Sequence, residues 1–379
     1  MNDAQRYTTK LIAYEICNRE FDENPNISVD LLKEIYDICA FHSVANLAAD
    51  ALYKLGMSSC SDEIFQLFKN DQYFSLIRCE QINRELKAIT EVFEKSKIRN
   101  IPLKGAVLRN FYPEPWMRTS CDIDVLVKKE ELDNAINILV TELGYVFERV
   151  GDHDASLWAP SKIHIELHYI LFEKASNADK VILKLKDYIS PADGKKYQYV
   201  MNDEMFYFYH VAHMAKHFKN GGCGIRTFID MWILRNKMDF VFSKRKKLLE
   251  EGGLLNFALI CEQLSDVWFS NAAPNKFTEI MQEYIFKGGS YGSFENFPAV
   301  YKKENTAELK FFLARMFVPY SILKIEYPII KKYKVLTPFA AVWRWGVKAL
   351  AKKNRSNDNP EISNIQNDDI KELLDSINL

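Results

Sequence analysis

The sequence has no long hydrophobic run, no closely spaced cysteine pair and almost no net charge. No apolar stretch in its 379 residues reaches ~18 residues, so a transmembrane helix is not predicted. Its seven cysteines include no CxxC pair, which argues against a zinc ribbon or a thioredoxin-like site. The formal net charge of -1 is atypical of a dedicated nucleic-acid-binding protein.

The N-terminal segment also lacks the apolar core of a signal peptide, because it is polar and mixed in charge. Most cysteines lie among apolar residues, where a free thiol behaves as a small hydrophobic group. These features predict a soluble, cytoplasmic protein in a reducing environment. Hydrophobic residues make up 48% and charged residues 27% of the chain, which is typical of globular proteins of two or three domains.

Hydrophobic periodicity divides the chain into four regions. Residues 1–97 have a helical pattern, and strand and helix patterns alternate over 98–200. The helical pattern returns over 201–355, and an acidic tail that we expect to be flexible follows at 356–379. The sequence therefore predicts an α+β core between two helical regions.

One long helix is predicted from about Gln72 to Lys97. Asn70 or Asp71 has the side chain expected of its N-cap. Phe74 and Ile77 recur at the spacing of an apolar helix face, so we expect them to face the core.

The pair Asp122-Ile-Asp124 lies in a β-rich run. Alternation along a strand places both carboxylates on one face, with Ile123 and Val125 on the opposite face. Two adjacent carboxylates repel each other unless a cation lies between them, and Mg²⁺ is the usual solution at phosphate sites. A pair of solvated aspartates at a strand edge is the alternative interpretation.

Two further features favour the metal interpretation. The pair Lys104-Gly105 ends one predicted strand and opens a helix, a turn suited to binding phosphate. In a later strand, His164, Glu166 and His168 alternate with apolar residues and share one face. Glu166 is therefore a candidate third carboxylate from a neighbouring strand.

Six elements in order carry a resemblance to a known family. They are Lys104-Gly105, Tyr112-Pro113, Arg118, Asp122-Ile-Asp124-Val-Leu-Val, Gly144-Tyr145 and Glu166-Leu-His168. Together they resemble bacterial nucleotidyltransferase-fold proteins of the polymerase-β-like superfamily, in particular the branch labelled uncharacterised nucleotidyltransferase. The resemblance covers about residues 80–240.

The resemblance implies a small mixed sheet, two Mg²⁺ ions (or Mn²⁺) and an NTP substrate. It implies metal-binding and catalytic roles for Asp122, Asp124 and Glu166. Gly105 matches the glycine of the phosphate-binding turn. The usual Gly-Ser pair is replaced here by Lys104-Gly105, so we expect the lysine to replace the serine contact to phosphate.

Further nucleotide contacts are expected from outside the carboxylate set. The complete set of expected contacts is Lys104, Gly105, Arg118, His168, His213 and Arg226. His210, His213 and His217 share a face of a predicted helix, where they either bind zinc or phosphate or only pack. Arg226 either pairs with Asp230 one helical turn later or lines the substrate cleft.

The leading hypothesis is transfer of a nucleoside monophosphate from an NTP to an acceptor hydroxyl, with release of pyrophosphate. The acceptor is a sugar, another small molecule, a protein or an RNA end. A glycosyltransferase that binds a metal–nucleotide-sugar through Asp122 and Asp124 is one alternative. A non-catalytic nucleotide- or partner-binding protein is the other. The basic, aromatic segment 320–355 is a candidate contact for RNA or an anionic membrane surface, or it is a solvated helix face.

Overall fold

The computed structural model describes residues 1–172, 176–219, 222–289, 372–374 and 376–377. Helices and a small mixed sheet build this part of the chain, which confirms the predicted α+β class. The basic segment 320–355 lies outside the described residues. Within the described ranges, no helix is long and apolar enough to cross a membrane. All seven cysteines are free thiols.

The helices fall into three groups along the chain. Before the sheet lie α1 (Asp3–Cys17), α2 (Val29–Phe41), α3 (Ala45–Lys54) and α4 (Asp62–Lys95). Among the strands lie α5 (Gly105–Leu108), α6 (Leu132–Leu143) and α7 (Asn177–Ile182). After them come α8 (Asp203–Lys219), α9 (Ile225–Lys237), α10 (Phe242–Glu251), α11 (Leu255–Phe269) and α12 (Lys276–Gly288). Helix α1 packs on α2, α3 and α11, so the first and last groups are in contact.

Five strands form the main sheet in the order β1-β2-β5-β4-β3. They are β1 (Asn100–Pro102), β2 (Asp122–Val127), β3 (Val146–Val150), β4 (Asp154–Trp158) and β5 (His164–His168). Strands β2 and β5 are parallel, and the other neighbouring strands are antiparallel. A separate two-stranded sheet joins β6 (Ile189–Pro191) to β7 (Tyr199–Met201). Strands β4, β6 and β7 were not predicted from the sequence.

The two faces of the main sheet differ in chemistry, as the alternation of residues in β2 and β5 predicts. Ile123 and Val125 of β2, and Ile165 and Leu167 of β5, are fully buried. They belong to a hydrophobic core to which α4 and α6 contribute residues such as Phe93 and Leu139. The opposite face carries Asp122, Asp124 and Leu126 of β2 and the three polar residues of β5.

Helix α4 begins ten residues earlier than predicted. Its N-cap is Ser61, whose hydroxyl accepts a hydrogen bond from the backbone N–H of Ile64 at 3.4 Å. The proposed cap Asp71 lies inside the helix, where its carboxylate accepts a hydrogen bond from the Tyr36 hydroxyl. The prediction for Phe74 and Ile77 is also wrong, because they are 76% and 61% exposed.

The end of the chain contacts the last helices in the short stretches that the structure describes. Leu373 and Ile377 are fully buried. The Asn256 side chain of α11 donates a hydrogen bond to the Ser376 carbonyl, and Lys276 of α12 pairs with Glu372 at 2.6 Å.

Candidate functional site

The register of two parallel strands assembles the acidic residues of the site. Asp124 in β2 lies opposite Glu166 in β5, and Leu126 lies opposite His168. The carboxylates of Asp124 and Glu166 and the imidazole of His168 thus share the polar face of the sheet. This placement confirms the prediction that Glu166 lies on a strand adjacent to the aspartate pair.

Asp124, Glu166 and His168 form a compact group of potential metal ligands. One ligand atom from each side chain lies within 4.8 Å of the others. His168 Nε2 is 2.7 Å from Asp124 Oδ1 and 3.3 Å from Glu166 Oε2. Asp122 lies two residues before Asp124 on the same strand face, outside this group. The described residues thus bring together two of the three predicted carboxylates and add a histidine.

Lys104 is held against the same group by the turn that follows β1. Its Nζ lies 2.6 Å from Asp124 Oδ1. The backbone N–H of Leu103 donates to the Asp124 carbonyl at 3.0 Å, which fixes the start of this turn beside β2. Lys104 itself has φ 46° and ψ -124°, a strained conformation for a residue with a side chain. The strain is consistent with a turn whose function is to aim this lysine at Asp124.

Charge pairing controls the protonation of the group. Burial alone would raise the pKa of Asp124, but the Lys104 ammonium and the His168 hydrogen bond outweigh burial and hold it well below its usual range. For His168, burial lowers the pKa, while hydrogen bonds to Asp124 and Glu166 raise it to a net value above the ordinary one. Burial and the neighbouring Asp124 charge both raise the pKa of Asp122.

The donor chemistry fits a divalent cation. Carboxylate oxygens suit Mg²⁺ and Mn²⁺, and an imidazole nitrogen is a frequent ligand of transition metals. Asp124 is ionised and only 2% exposed, so its carboxylate is desolvated and its charge is weakly screened. Asp124, Glu166 and His168 would hold such an ion, with Asp122 beside them on the strand.

Gly105 allows a close approach between the turn and the loop before β2. A Cβ atom at this position would lie 3.1 Å from both Cβ and Oγ of Ser120. The Gly105 carbonyl accepts a hydrogen bond from Arg109 Nε at 2.9 Å, and Arg109 Nη2 donates to Ser120 Oγ at 2.6 Å. The glycine thus brings a buried guanidinium and a serine hydroxyl together next to Asp122.

Arg118 and Asp230 form a buried bidentate ion pair. Arg118 Nε and Nη2 donate to the two carboxylate oxygens at 2.7 and 2.8 Å, and the Tyr112 hydroxyl adds a third hydrogen bond at 2.7 Å. The sequence offered Arg226, on the same helix, as a partner for Asp230; the structure shows that Arg118 holds this carboxylate from the loop before β2. Arg226 instead donates to the Thr119 carbonyl and hydroxyl.

The three histidines of α8 make different contacts. His210 is buried and contacts the Thr227 carbonyl at 3.2 Å, a packing role. Nε2 of His213 and Nε2 of His217 lie 3.3 Å apart. Burial and the Lys104 charge lower the pKa of both, that of His217 to about 4. His213 and His217 are therefore neutral imidazoles, close enough to the site to interact electrostatically with Lys104.

Two functional candidates were missed in the sequence. Tyr209 is only 3% exposed, and the charges of Lys104 and Asp124 act on its hydroxyl. Burial has the largest effect and raises the pKa of this hydroxyl. Its position four residues before His213 on the same helix face was the available signal. Arg109 is 1% exposed, and its position four residues after Gly105 was the corresponding clue.

Comparison with known proteins places this site in a family. A family model described as "Uncharacterised nucleotidyltransferase" matches residues 31–270, more than half of the chain. That span includes the whole main sheet and the group formed by Asp124, Glu166 and His168. Searches among curated proteins and among solved structures gave no match. The carboxylate-bearing sheet and the extent of the family match lead to one conclusion: the chain belongs to the uncharacterised nucleotidyltransferase family.

Proposed function

We propose that the protein transfers a nucleoside monophosphate from an NTP to an acceptor hydroxyl, releasing pyrophosphate, and that a divalent cation, Mg²⁺ or Mn²⁺, is required. The observation that carries this proposal is the alignment of Asp124 with Glu166 across β2 and β5, with His168 2.7 Å from Asp124. Family membership supports nucleotidyl transfer over the glycosyl-transfer alternative.

In this proposal, Asp122, Asp124 and Glu166 hold the metal, two ions in the fully loaded site, and His168 completes the ligand set. The metal supplies charge neutralisation at the phosphates and orients them for displacement. Glu166 faces the open side of the sheet with its side chain 25% exposed, so an acceptor hydroxyl has access to it. We assign to Glu166 the additional role of accepting the proton of that hydroxyl.

Lys104 has two partners in the proposed cycle. Without substrate, its ammonium neutralises Asp124 at 2.6 Å. With a divalent cation bound at Asp124, the Lys104 ammonium would be available to a phosphate oxygen. The lysine then acts as a positioned point charge, as phosphate-binding lysines do. Gly105 keeps the turn close to Ser120, so that the phosphates lie beside it.

The remaining predicted contacts surround this centre. His213 is a neutral imidazole near Lys104, suited to hydrogen bonding with a phosphate or a ribose hydroxyl. Arg118 is bound to Asp230, and we assign it to holding the loop before β2 in place. Arg226 fixes the same loop at Thr119 and also lines the adjoining cavity.

The proposal is tested by incubating the protein with Mg²⁺ and each of the four labelled NTPs in a lysate of host cells. We expect one NTP to label an acceptor and to release pyrophosphate. The Glu166→Gln variant should lose this activity, and Glu91→Gln, an exposed change on α4, should retain it. A labelled product obtained from a UDP-sugar, with no pyrophosphate from any NTP, would instead favour glycosyl transfer.

A further inference from the structure

A cavity of about 640 Å³ lies beside the loop that leads into β2, where Ser120 and Cys121 line it just before Asp122. It lies between α2, α3 and α4 and the loop that leads into β2. Its volume is that of a site for a small molecule rather than a polymer. Asp124, Glu166 and His168 do not line it. The cavity is therefore next to the proposed reaction centre but separate from the metal ligands.

The charge of the cavity wall is strongly positive. Among the described residues, five cationic side chains and one carboxylate line it: Arg78, Arg109, Arg118, Lys162, Arg226 and Asp71. The charge of Arg118 is already balanced by Asp230. Arg78, Arg109 and Lys162 form no ion pair with the residues that the structure describes, and their charges favour an anionic ligand.

Arg109 is the cavity residue that most clearly lacks an anionic contact. It is 1% exposed, and its nitrogen atoms contact the Gly105 carbonyl, the Ser120 hydroxyl and the Cys79 thiol. It forms no ion pair with any residue that the structure describes. The Asp122 carboxylate acts on this guanidinium only from beyond ion-pair distance, and an anion in the cavity would supply the contact partner that the buried charge lacks.

Two other features of the wall fit the same ligand. The Ser161 hydroxyl is buried and has no hydrogen-bond partner in the described part of the chain. Phe74 and Ile77, both largely exposed, form an apolar edge. A ligand with a polar anionic end and an apolar or ring-shaped body matches both.

We infer that this cavity binds the acceptor of the proposed reaction, and that the acceptor is a small molecule bearing a phosphate group. This inference rests on the proposed function. The reacting phosphates of the NTP must reach Asp124 and Glu166, which lie outside the cavity, and a nucleoside carries no charge for the arginines to bind. The anion that the arginines would neutralise is thus assigned to the other substrate.

The test is a calorimetric titration of the full chain with phenyl phosphate, without metal and again with saturating Mg²⁺ and α,β-methylene-ATP. We expect saturable binding whose Kd changes less than about twofold when the nucleotide is present. Arg78 lies in the wall, donates only to the Cys121 carbonyl and forms no ion pair with described residues. Arg78→Gln should weaken binding about tenfold, and Arg78→Lys should restore most of it.

Arg84→Gln is the matched control, because Arg84 is on the same helix but its side chain is 70% exposed outside the cavity. Its Kd should equal that of the wild type. Absence of phenyl phosphate binding, or equal Kd values for Arg78→Gln and wild type, would overturn the inference. Competition by the nucleotide would also overturn it, since the cavity would then be the triphosphate site. Failure to release pyrophosphate, with phosphate binding intact, would contradict only the proposed function.

Discussion

Lys104 Nζ and Asp124 Oδ1 are 2.6 Å apart, at a point where a strained turn meets strand β2 of the sheet. The pair keeps a buried carboxylate ionised without a metal. It also places a cation where a phosphate would arrive. In the proposed function, metal and nucleotide would exchange partners within this pair.

Replacing Lys104 with methionine should strengthen metal binding in the absence of nucleotide. The ammonium and a divalent cation compete for the same oxygen of Asp124, so removing the ammonium should tighten Mn²⁺ binding at least about fivefold. Titration of Mn²⁺ followed by electron paramagnetic resonance measures the affinity. Lys87→Met, whose side chain is 76% exposed on α4, serves as the control. Weaker or unchanged Mn²⁺ binding in Lys104→Met would contradict the competition.

Breaking the Arg118–Asp230 pair should destabilise the fold. Arg118→Met leaves a fully buried carboxylate with only the Tyr112 hydroxyl, at a cost of about 3–5 kcal/mol in the free energy of unfolding. Urea denaturation measures the change. Lys246→Met, which removes an exposed helix ion pair, should change stability by less than about 0.5 kcal/mol. A loss below about 1 kcal/mol for Arg118→Met would show that the pair is not structural.

Stability should fall in acid through the buried His42. Burial lowers the pKa of His42 to about 4, whereas an unfolded histidine titrates near pH 6.5. Below pH 6.5, His42 is protonated in the unfolded chain but remains neutral in the folded chain. The stability present above pH 6.5 is therefore lost as the pH falls toward 4. The contribution is about 2 kcal/mol between pH 7 and 5.

The His42→Phe variant isolates this contribution, because other buried histidines titrate unchanged in it. Urea denaturation at pH 7 and at pH 5 should show a smaller acid loss for the variant than for the wild type. Equal losses in the two proteins would mean that His42 does not carry the effect.

The Ser156 hydroxyl should be dispensable. Ser156 is fully buried in β4 opposite Glu166, and its Oγ has no hydrogen-bond partner among the described residues. Ser156→Ala removes an unpaired polar group, so stability should stay the same or rise by up to about 1 kcal/mol. Thermal unfolding measures it. A loss greater than about 1 kcal/mol would show that bound water or a ligand satisfies the hydroxyl.

The alternation of apolar and polar residues along a strand predicted β2 and β5 correctly. In β2 and β5 every second residue is apolar, and that alternation was sufficient to place Asp124 and Glu166 on one face. Helix α4 was harder, because over 34 residues it contacts several partners and its buried stripe includes polar residues such as Gln72 and Ser75. Phe74 therefore looked like a core residue while the fold left it at a cavity edge.

Contacts between residues that are distant in the sequence could not be predicted from local sequence patterns. Asp230 appeared to pair with Arg226 on its own helix, but the fold brings Arg118 to it from 112 residues away. The sequence did not single out Arg109, because its contact with Ser120, 11 residues later, exists only in the folded chain. These contacts depend on how loops return to the sheet, which periodicity does not encode.

The proposed function gives Asp124 a direct part in metal-dependent nucleotidyl transfer. The most direct measurement is pyrophosphate release from an NTP by wild type and by Asp124→Asn, with Mg²⁺ and with EDTA, after circular dichroism has shown equal folding. We expect release by wild type with Mg²⁺, none with EDTA, and a loss of at least about a hundredfold in Asp124→Asn. Equal release by a folded Asp124→Asn variant, or release that persists in EDTA, would contradict it.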